Sequence, residues 1–288
     1  MSGATRRAAV LGHPVAHSLS PTLHRAAYAE LGLDDWSYDA VDVAEDQLAA
    51  FVGGLGEQWA GLSLTMPLKQ TVLPLLDHVE PLAQVVGAVN TVLLQGSGSA
   101  RTLVGANTDV HGLVAAVREG LAQVPGQPRG IRSAAVLGAG ATAASTLAAL
   151  AELGCATPTV FARAISRAGG LLRAAHRMGV SPVVRPLDEA ARVLGGVDVV
   201  VSTLPPHAAD TLAEGLSAGG VALAGSVLLD VAYDPRPTAL HTAWVAAGGI
   251  AVGGERMLLH QAGEQVRLMT GRPAPLAAMD RALSERLG

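Results

Sequence analysis

Residues 134–153 read AAVLGAGATAASTLAALAEL, and this stretch decides the fold. A short apolar strand, Ala134 to Leu137, runs into Gly138-Ala139-Gly140-Ala141-Thr142-Ala143 and then into about ten residues of strong helix formers. The spacing fits G-x-G-x-x-A: the first glycine permits a tight turn, the second lets backbone approach a pyrophosphate, and the small third residue allows close helix-sheet packing. The helix that follows offers free N–H groups and the positive end of its dipole to phosphate. Strand, glycine turn and helix together point to dinucleotide binding, since the turn alone would also serve ordinary packing.

Working outward, short apolar runs alternate with helical patterns on both sides. After the turn, Thr159 to Ala162, Val183 to Arg185, Val197 to Ser202, Val227 to Val231 and Ile250 to Val252 read as buried strands. Arg163 to Met178, Asp188 to Leu194, Ala208 to Leu216 and Pro237 to Ala247 read as the helices between them, which makes a doubly wound, Rossmann-type sheet. Before the turn, strands are expected at Ala8 to Leu11, Tyr38 to Val43 and Gly61 to Leu64, with an extended segment at Val85 to Leu94. Helices are expected at Pro21 to Leu31, Glu45 to Val52 and Asp109 to Leu121, with a short helical turn over Pro67 to Leu76. Strands alternating with helices imply a second α/β domain with a mostly parallel sheet. Gln123 to Arg132, rich in Pro and Gly, reads as a linker. Glu255 to Thr270 is helical and could close either domain.

The 288 residues suit two domains, and half of them are hydrophobic. Lys plus Arg number 20 against 24 for Asp plus Glu, with no basic tract, so nucleic acid is not an expected partner. One cysteine, Cys155, cannot form an internal disulfide, and no Cys/His cluster has metal-ligand spacing. The uncharged stretches are broken by Gly, Ser, Thr, Asn and Gln, so no membrane span is expected. The expectation is a soluble, cytoplasmic, metal-free protein acting on a small molecule, as a monomer or homodimer.

In NAD-binding members of this fold an acidic residue about 20 positions after the glycines holds the ribose 2′-hydroxyl; an arginine accommodates the 2′-phosphate of NADP. From Leu153 to Leu187 there is no Asp or Glu, and Arg163 directly follows the strand ending at Ala162, with Arg167 one turn on. NADP is therefore favoured. In the N-terminal part, Ser18 and Ser20 stand before Pro21, where Ser20 suits an N-cap and paired hydroxyls beside a helix start suit a small carboxylate. Lys69 follows the strand ending at Leu64, near the edge where open α/β sheets bind ligands. Asp109 opens a helix, where it could act as a reacting group or as an ordinary cap.

Seven segments in order, GHPVAHSLSP, SLTMPLK, GAVNT, NTD, the GAGA turn, DVAYDPRPTAL and GGERMLLHQAGEQVRLMTG, resemble the shikimate dehydrogenase family over nearly the whole chain. The resemblance implies a substrate domain at 1–110, an NADP domain at 111–254, and C-terminal helices at 255–288 returning to the substrate domain. It implies reversible NADP-linked interconversion of shikimate and 3-dehydroshikimate. Lys69 and Asp109 would be the catalytic pair, Ser18 and Ser20 would hold the substrate carboxylate with Tyr233, and Thr65, Asn90 and Gln261 would bind ring hydroxyls or carboxylate. Gly138, Ala139, Gly140, Ala141 and Thr142 would cradle the pyrophosphate, Ala162, Arg163 and Arg167 the 2′-phosphate end, and Val231 and Gly254 would flank the nicotinamide. Oxidising a secondary alcohol removes a hydroxyl proton as hydride leaves, and in the reducing direction a lysine ammonium is the acid needed. Four positions depart from the family pattern: Ser63 stands where Asn is usual, Ala141 replaces a glycine of the turn, and Ala162 and Ala164 replace Asn and Thr beside Arg163. The alternatives are an NAD-using quinate/shikimate dehydrogenase, which an acidic residue after Ala162 would favour, and a non-catalytic metabolite sensor, which would lack Lys69 or Asp109.

Overall fold

The computed structural model describes residues 6–126 and 130–288, and the side chains of Ser99 and Arg167 lie outside that description. Residues 127–129 of the expected linker are therefore outside it too. The chain forms two compact units, one of residues through Asp109 together with Leu258–Gly288, the other Val110–Met257.

The first unit is built from β1 (Arg6–Gly12), α1 (Ser20–Glu30), β2 (Trp36–Asp42), α2 (Leu48–Gly53), β3 (Trp59–Leu64), α3 (Leu68–Thr71), β4 (His78–Val79), α4 (Pro81–Val86), β5 (Thr91–Gln95) and β6 (Thr102–Ala106). Its strands line up as β2-β1-β3-β5-β6-β4. The pairs β1–β2, β1–β3 and β4–β6 are parallel, whereas β5 runs antiparallel to both β3 and β6. Both faces of the sheet are covered: Ala9 and Leu11 of β1 pack with Leu48, Leu62 and Val92, while Ala8 and Val10 pack with Tyr28 and Tyr38. That two-sided burial is why β1 reads as a continuous apolar run.

The expected extended segment over 85–94 is in fact the end of α4, a turn, and β5. Pro81 sits at the start of α4, where its missing N–H costs nothing, and Gly87 ends the helix in the left-handed region at φ 76°. The β5–β6 hairpin that follows supplies the one antiparallel strand, β5, of an otherwise parallel sheet.

The second unit carries α5 (Asp109–Leu121), β7 (Ala134–Leu137), α6 (Ala141–Glu152), β8 (Thr159–Ala162), α7 (Gly169–Arg177), β9 (Val183–Pro186), α8 (Ala190–Val193), β10 (Val199–Ser202), α9 (Asp210–Ala218), β11 (Val227–Asp230), α10 (Ala239–Ala246) and β12 (Ile250–Gly253). The strand order β12-β11-β10-β7-β8-β9 with every pair parallel is the doubly wound dinucleotide arrangement. Its order reverses between β7 and β10, so a crevice opens beyond the carboxyl ends of those two strands. Leu137, Phe161, Val200 and Leu228 form the sheet's contribution to a core completed by Leu212, Leu216, Leu240 and Trp244 of α9 and α10.

The remaining helices are α11 (Gly254–Thr270) and α12 (Leu276–Leu287), and α12 packs on α1. Of α11, the residues from Leu258 onward belong to the first unit. Among the described residues no helix is long and apolar enough to cross a membrane.

Candidate active site

In the first unit the antiparallel β5 brings distant sequence to one sheet edge. Ser63 near the end of β3 pairs with Thr91 at the start of β5, and Thr91 pairs with Ala106 at the end of β6. The residues just beyond those positions, Thr65, Asn90 and 107–109, therefore meet. α3 follows β3 by three residues and carries Lys69 to the same place.

Lys69 Nζ donates to Asp109 Oδ2 at 2.5 Å, with the side chains 15% and 4% exposed. Asn90 Nδ2 donates to the other carboxylate oxygen, Oδ1, at 2.8 Å. Asn90 is itself held at its acceptor end, where Oδ1 accepts from the Thr108 N–H at 2.8 Å and from Thr91 Oγ1 at 3.0 Å. Gln261 of α11 lies against the same group, its Oε1 3.2 Å from Asn90 Nδ2, while its Nε2 donates to the Leu258 carbonyl at 3.1 Å. A buried carboxylate is tolerable only with such partners. Lys69, Asp109, Asn90 and Gln261 thus form one connected cluster.

Ser20 is the first residue of α1 rather than its cap; Leu19 takes the cap position, and Ser18 Oγ accepts from the Ser20 N–H at 3.3 Å. Ser20 is buried and Ser18 half-buried. Thr65 is half-buried where β1 and β3 end side by side, and a Cβ on Gly12 would collide with its Cγ2 methyl. Glycine at position 12 is what allows that close approach.

In the second unit the glycine turn stands at the strand-order reversal. Gly138 has φ 112°, and a Cβ there would run into Thr203 Oγ1 beyond β10. Thr203 in turn donates to the Leu137 carbonyl through Oγ1 at 3.0 Å, which locks β7 to β10 at this point. Gly140 is the cap residue of α6; no side chain caps that helix, and no atom lies within 4 Å of a Cβ built on Gly140. An open backbone surface leading into an uncapped helix start fits a pyrophosphate. Ala139, Ala141 and Thr142 are half-buried along it.

Arg163 is exposed directly after β8 and lines a cavity of about 560 Å³ with Pro186, Leu187, Asp188 and residues of α8 and α9. Ala162 is buried at the end of β8, and Arg167 ends the short turn after Ala164, with its side chain outside the described residues. The first acidic residue beyond β8, Asp188, follows β9 instead. Val231 follows β11, and a Cβ on Gly254 at the start of α11 would strike the Val231 carbonyl, so glycine is needed there. Tyr233 is half-buried in the same loop, where burial and the neighbouring Asp234 carboxylate raise its phenol pKa. The loop is closed by Thr238, which donates from Oγ1 to Asp230 Oδ2 at 2.6 Å and accepts from the His241 N–H at 3.0 Å. Burial raises the Asp230 pKa, the Thr238 bond opposing it.

Tyr38, His24 and Gln265 escape sequence reasoning as site residues, and they surround Ser63, the position that departs from the family pattern. Ser63 is buried and joined to Tyr38, whose hydroxyl donates to Ser63 Oγ at 2.6 Å. Ser63 Oγ donates to Gln265 Oε1 at 2.9 Å. His24 is fully buried, stacked on Tyr38 at 3.9 Å between ring centroids, and 3.2 Å from Gln265 Oε1 through Nε2. Burial lowers the His24 pKa from 6.5 to about 3, the Gln265 bond offsetting only part of this, so the imidazole is neutral. The signal in sequence is the polar pair Gln261 and Gln265, one helical turn apart on an otherwise apolar face of α11.

The family model for the shikimate dehydrogenase substrate binding domain matches residues 10–92, and that for the shikimate 5′-dehydrogenase C-terminal domain matches residues 254–283. A shikimate dehydrogenase (NADP(+)) from Rubrobacter xylanophilus is 39% identical over 290 positions, covering 99% of this chain and 97% of the relative. The crystal structure of Mycobacterium tuberculosis shikimate dehydrogenase matches with a TM-score of 0.83 at 38% identity, covering 98% of this chain and 99% of that one. A shikimate 5-dehydrogenase from Thermus thermophilus, solved in complex with NADP(H) and shikimate, matches with a TM-score of 0.79 at 33% identity, covering 98% and 100%. Similarity of this extent along the full length, together with the strand order and the buried Lys69–Asp109 cluster, means that the chain belongs to the shikimate dehydrogenase family.

Proposed function

We propose that this chain catalyses the reversible NADP-dependent reduction of 3-dehydroshikimate to shikimate. The unit of residues through 109 plus 258–288 binds the substrate and the unit of residues 110–257 binds the cofactor. The observation that carries this reading is the Lys69–Asp109 pair, its carboxylate buried and fixed from behind by Asn90. Bound NADPH supplies the hydride.

The residues of the chain manage the proton. As the ketone becomes an alcohol, its oxygen gains negative charge, and the Lys69 ammonium gives that oxygen a proton. Asp109 holds the ammonium in place while its own second oxygen stays engaged by Asn90. Lys69 is partly exposed, which lets it recover a proton from solvent for the next turnover. In the oxidising direction the neutral amine takes the hydroxyl proton. Ser18 and Ser20, with Tyr233, hold the substrate carboxylate, and Thr65, Asn90 and Gln261 hold its hydroxyls.

Gly138 to Thr142 receive the pyrophosphate, Val231 and Gly254 flank the nicotinamide, and Arg163, with Ala162 and Arg167, meets the 2′-phosphate, which favours NADP over NAD. The protein works in the cytoplasm, where the lone buried thiol of Cys155 stays reduced, as a monomer or homodimer. The test is the absorbance of reduced nicotinamide on mixing the purified protein with shikimate and NADP, with quinate and NAD in parallel. A rise confined to shikimate and NADP, abolished in Lys69→Ala, is expected. No turnover with that pair, or normal turnover in Lys69→Ala, would refute the reading.

A further inference from the structure

Behind the Lys69–Asp109 pair runs a chain of neutral hydrogen bonds with a single direction. Tyr38 donates to Ser63, and Ser63 donates to Gln265 Oε1. His24 Nε2 faces the same oxygen, while its Nδ1 lies 3.5 Å from the Tyr28 hydroxyl. With Oε1 an acceptor, the His24 proton sits on Nε2 and Nδ1 is left to accept. The two donors aimed at Oε1 decide which end of the Gln265 amide faces the other way. That end, Nε2, donates to the Asn90 carbonyl at 3.2 Å and to Thr91 Oγ1 at 3.0 Å. Having accepted from Gln265, Thr91 uses its own proton on Asn90 Oδ1. Together with the Thr108 N–H, which donates to the same oxygen, this turns the Asn90 amide so that its N–H points at Asp109 Oδ1, and Lys69 completes the series at Oδ2.

We propose that Gln265 is a positioning residue of the reaction, which acts through Thr91 and Asn90 to hold Asp109, and with it Lys69, in one geometry. The assignment rests on Lys69 and Asp109 being the reacting pair. Gln265 touches neither of them. What it supplies is polarity: a flipped or absent amide leaves Thr91 without its donor and loosens one of the two close donors, Thr91 Oγ1 and the Thr108 N–H, that hold Asn90 Oδ1, and with it the Asn90 N–H on a carboxylate that is almost wholly buried. The lysine must sit within hydrogen-bond reach of the reacting oxygen, so this loosening lowers turnover even though every group named in the chemistry is still present.

Three variants test this: Gln265→Leu, Thr91→Val and the two combined, with Lys69→Ala beside them. Thr91→Val keeps the branched shape and removes one hydroxyl, which makes it informative even where Gln265→Leu fails to fold. The expected result is a roughly 10- to 100-fold fall in kcat for Gln265→Leu and about 10-fold for Thr91→Val, at an unchanged Kd for NADP measured by fluorescence titration. The double variant should lose little more than Gln265→Leu alone, because both substitutions cut the same series. A kcat at the wild-type value in Thr91→Val, or losses that multiply in the double variant, would overturn the proposal while an inactive Lys69→Ala leaves the reacting pair intact. Activity in Lys69→Ala would instead remove the pair, and the positioning role with it.

Discussion

Acidification from pH 7 to pH 5 should weaken the first unit by about 2 kcal/mol through His24 alone. The folded imidazole is stripped of water, has no exposed surface and holds its pKa near 3, against 6.5 in the unfolded chain. Below 6.5 the unfolded chain therefore binds a proton that the folded chain refuses. Stability supplied by neutral His24 is complete above pH 6.5 and is lost as the pH falls towards 3, by about 1.4 kcal/mol per unit. The 1.5 units between 6.5 and 5 give the figure of about 2 kcal/mol. His24→Phe removes the proton site while keeping a ring to stack on Tyr38, and Ser63 remains as a donor to Gln265. Urea unfolding of both proteins at pH 7, 6 and 5 reads the difference directly. The variant starts lower at pH 7 by the value of one hydrogen bond, about 1 kcal/mol, but should fall less steeply, so that the gap closes or reverses by pH 5. Parallel pH dependence in the two proteins, or a His24 resonance titrating near 6.5 in the folded state, would refute the reasoning.

Further outcomes follow from the second unit. Arg163→Ala should weaken NADP by roughly 10- to 100-fold, the worth of charge-assisted hydrogen bonds to a phosphate, and leave NAD nearly unaffected; an equal loss for both cofactors in parallel titrations would remove Arg163 from the 2′-phosphate site. Gly138→Ala and Gly140→Ala should separate fold from binding. The first forces a side chain into the left-handed region against Thr203 and lowers the unfolding temperature, while the second meets no atom within 4 Å, keeps that temperature and still weakens NADP. Thr238→Val should cost roughly 1–3 kcal/mol in chemical denaturation, because the α10 cap is lost and the buried Asp230 loses a donor; a loss of a few tenths would mean that the loop is held by other contacts.

The two units were not equally readable in the sequence. In the second, the central strands are buried on both faces and every strand appears as a short apolar run between helices, so all six could be found and the glycine turn marked where the order reverses. In the first, VVGAVNTVLL at 85–94 is apolar but for Asn90 and Thr91, and period cannot separate a helix end from a strand in so short a run; the usable marks were Pro81 and Gly87 at the two ends of α4. β4 has two residues and β6 contains a glycine packed against Leu76, which left both without a pattern. Lys69 and Asp109 stood out as charged residues at element ends, but 40 positions separate them, and only the antiparallel β5–β6 return brings them together. His24 and Gln265 were illegible because the spacing that places them inside is the spacing of core residues.

That illegibility has a physical reason that bears on how the pair is held. A second ion placed behind Asp109 would bring its own desolvation cost and compete with Lys69 for the carboxylate. Neutral donors avoid both problems, but a neutral amide fixes a geometry only when its two ends are told apart. Tyr38, Ser63 and His24 make that distinction for Gln265, and Gln265 through Thr91, together with the Thr108 N–H, makes it for Asn90. Each member is a common residue, all but Asn90 on an ordinary helix or strand, and the function lies in the order of donation, which exists only once β2, β3, β5, α1 and α11 are packed. The direction of the series therefore depends on the fold of the first unit, and an apolar replacement at a link should lower turnover at Lys69 as well as cost the stability of the buried hydrogen bonds it removes.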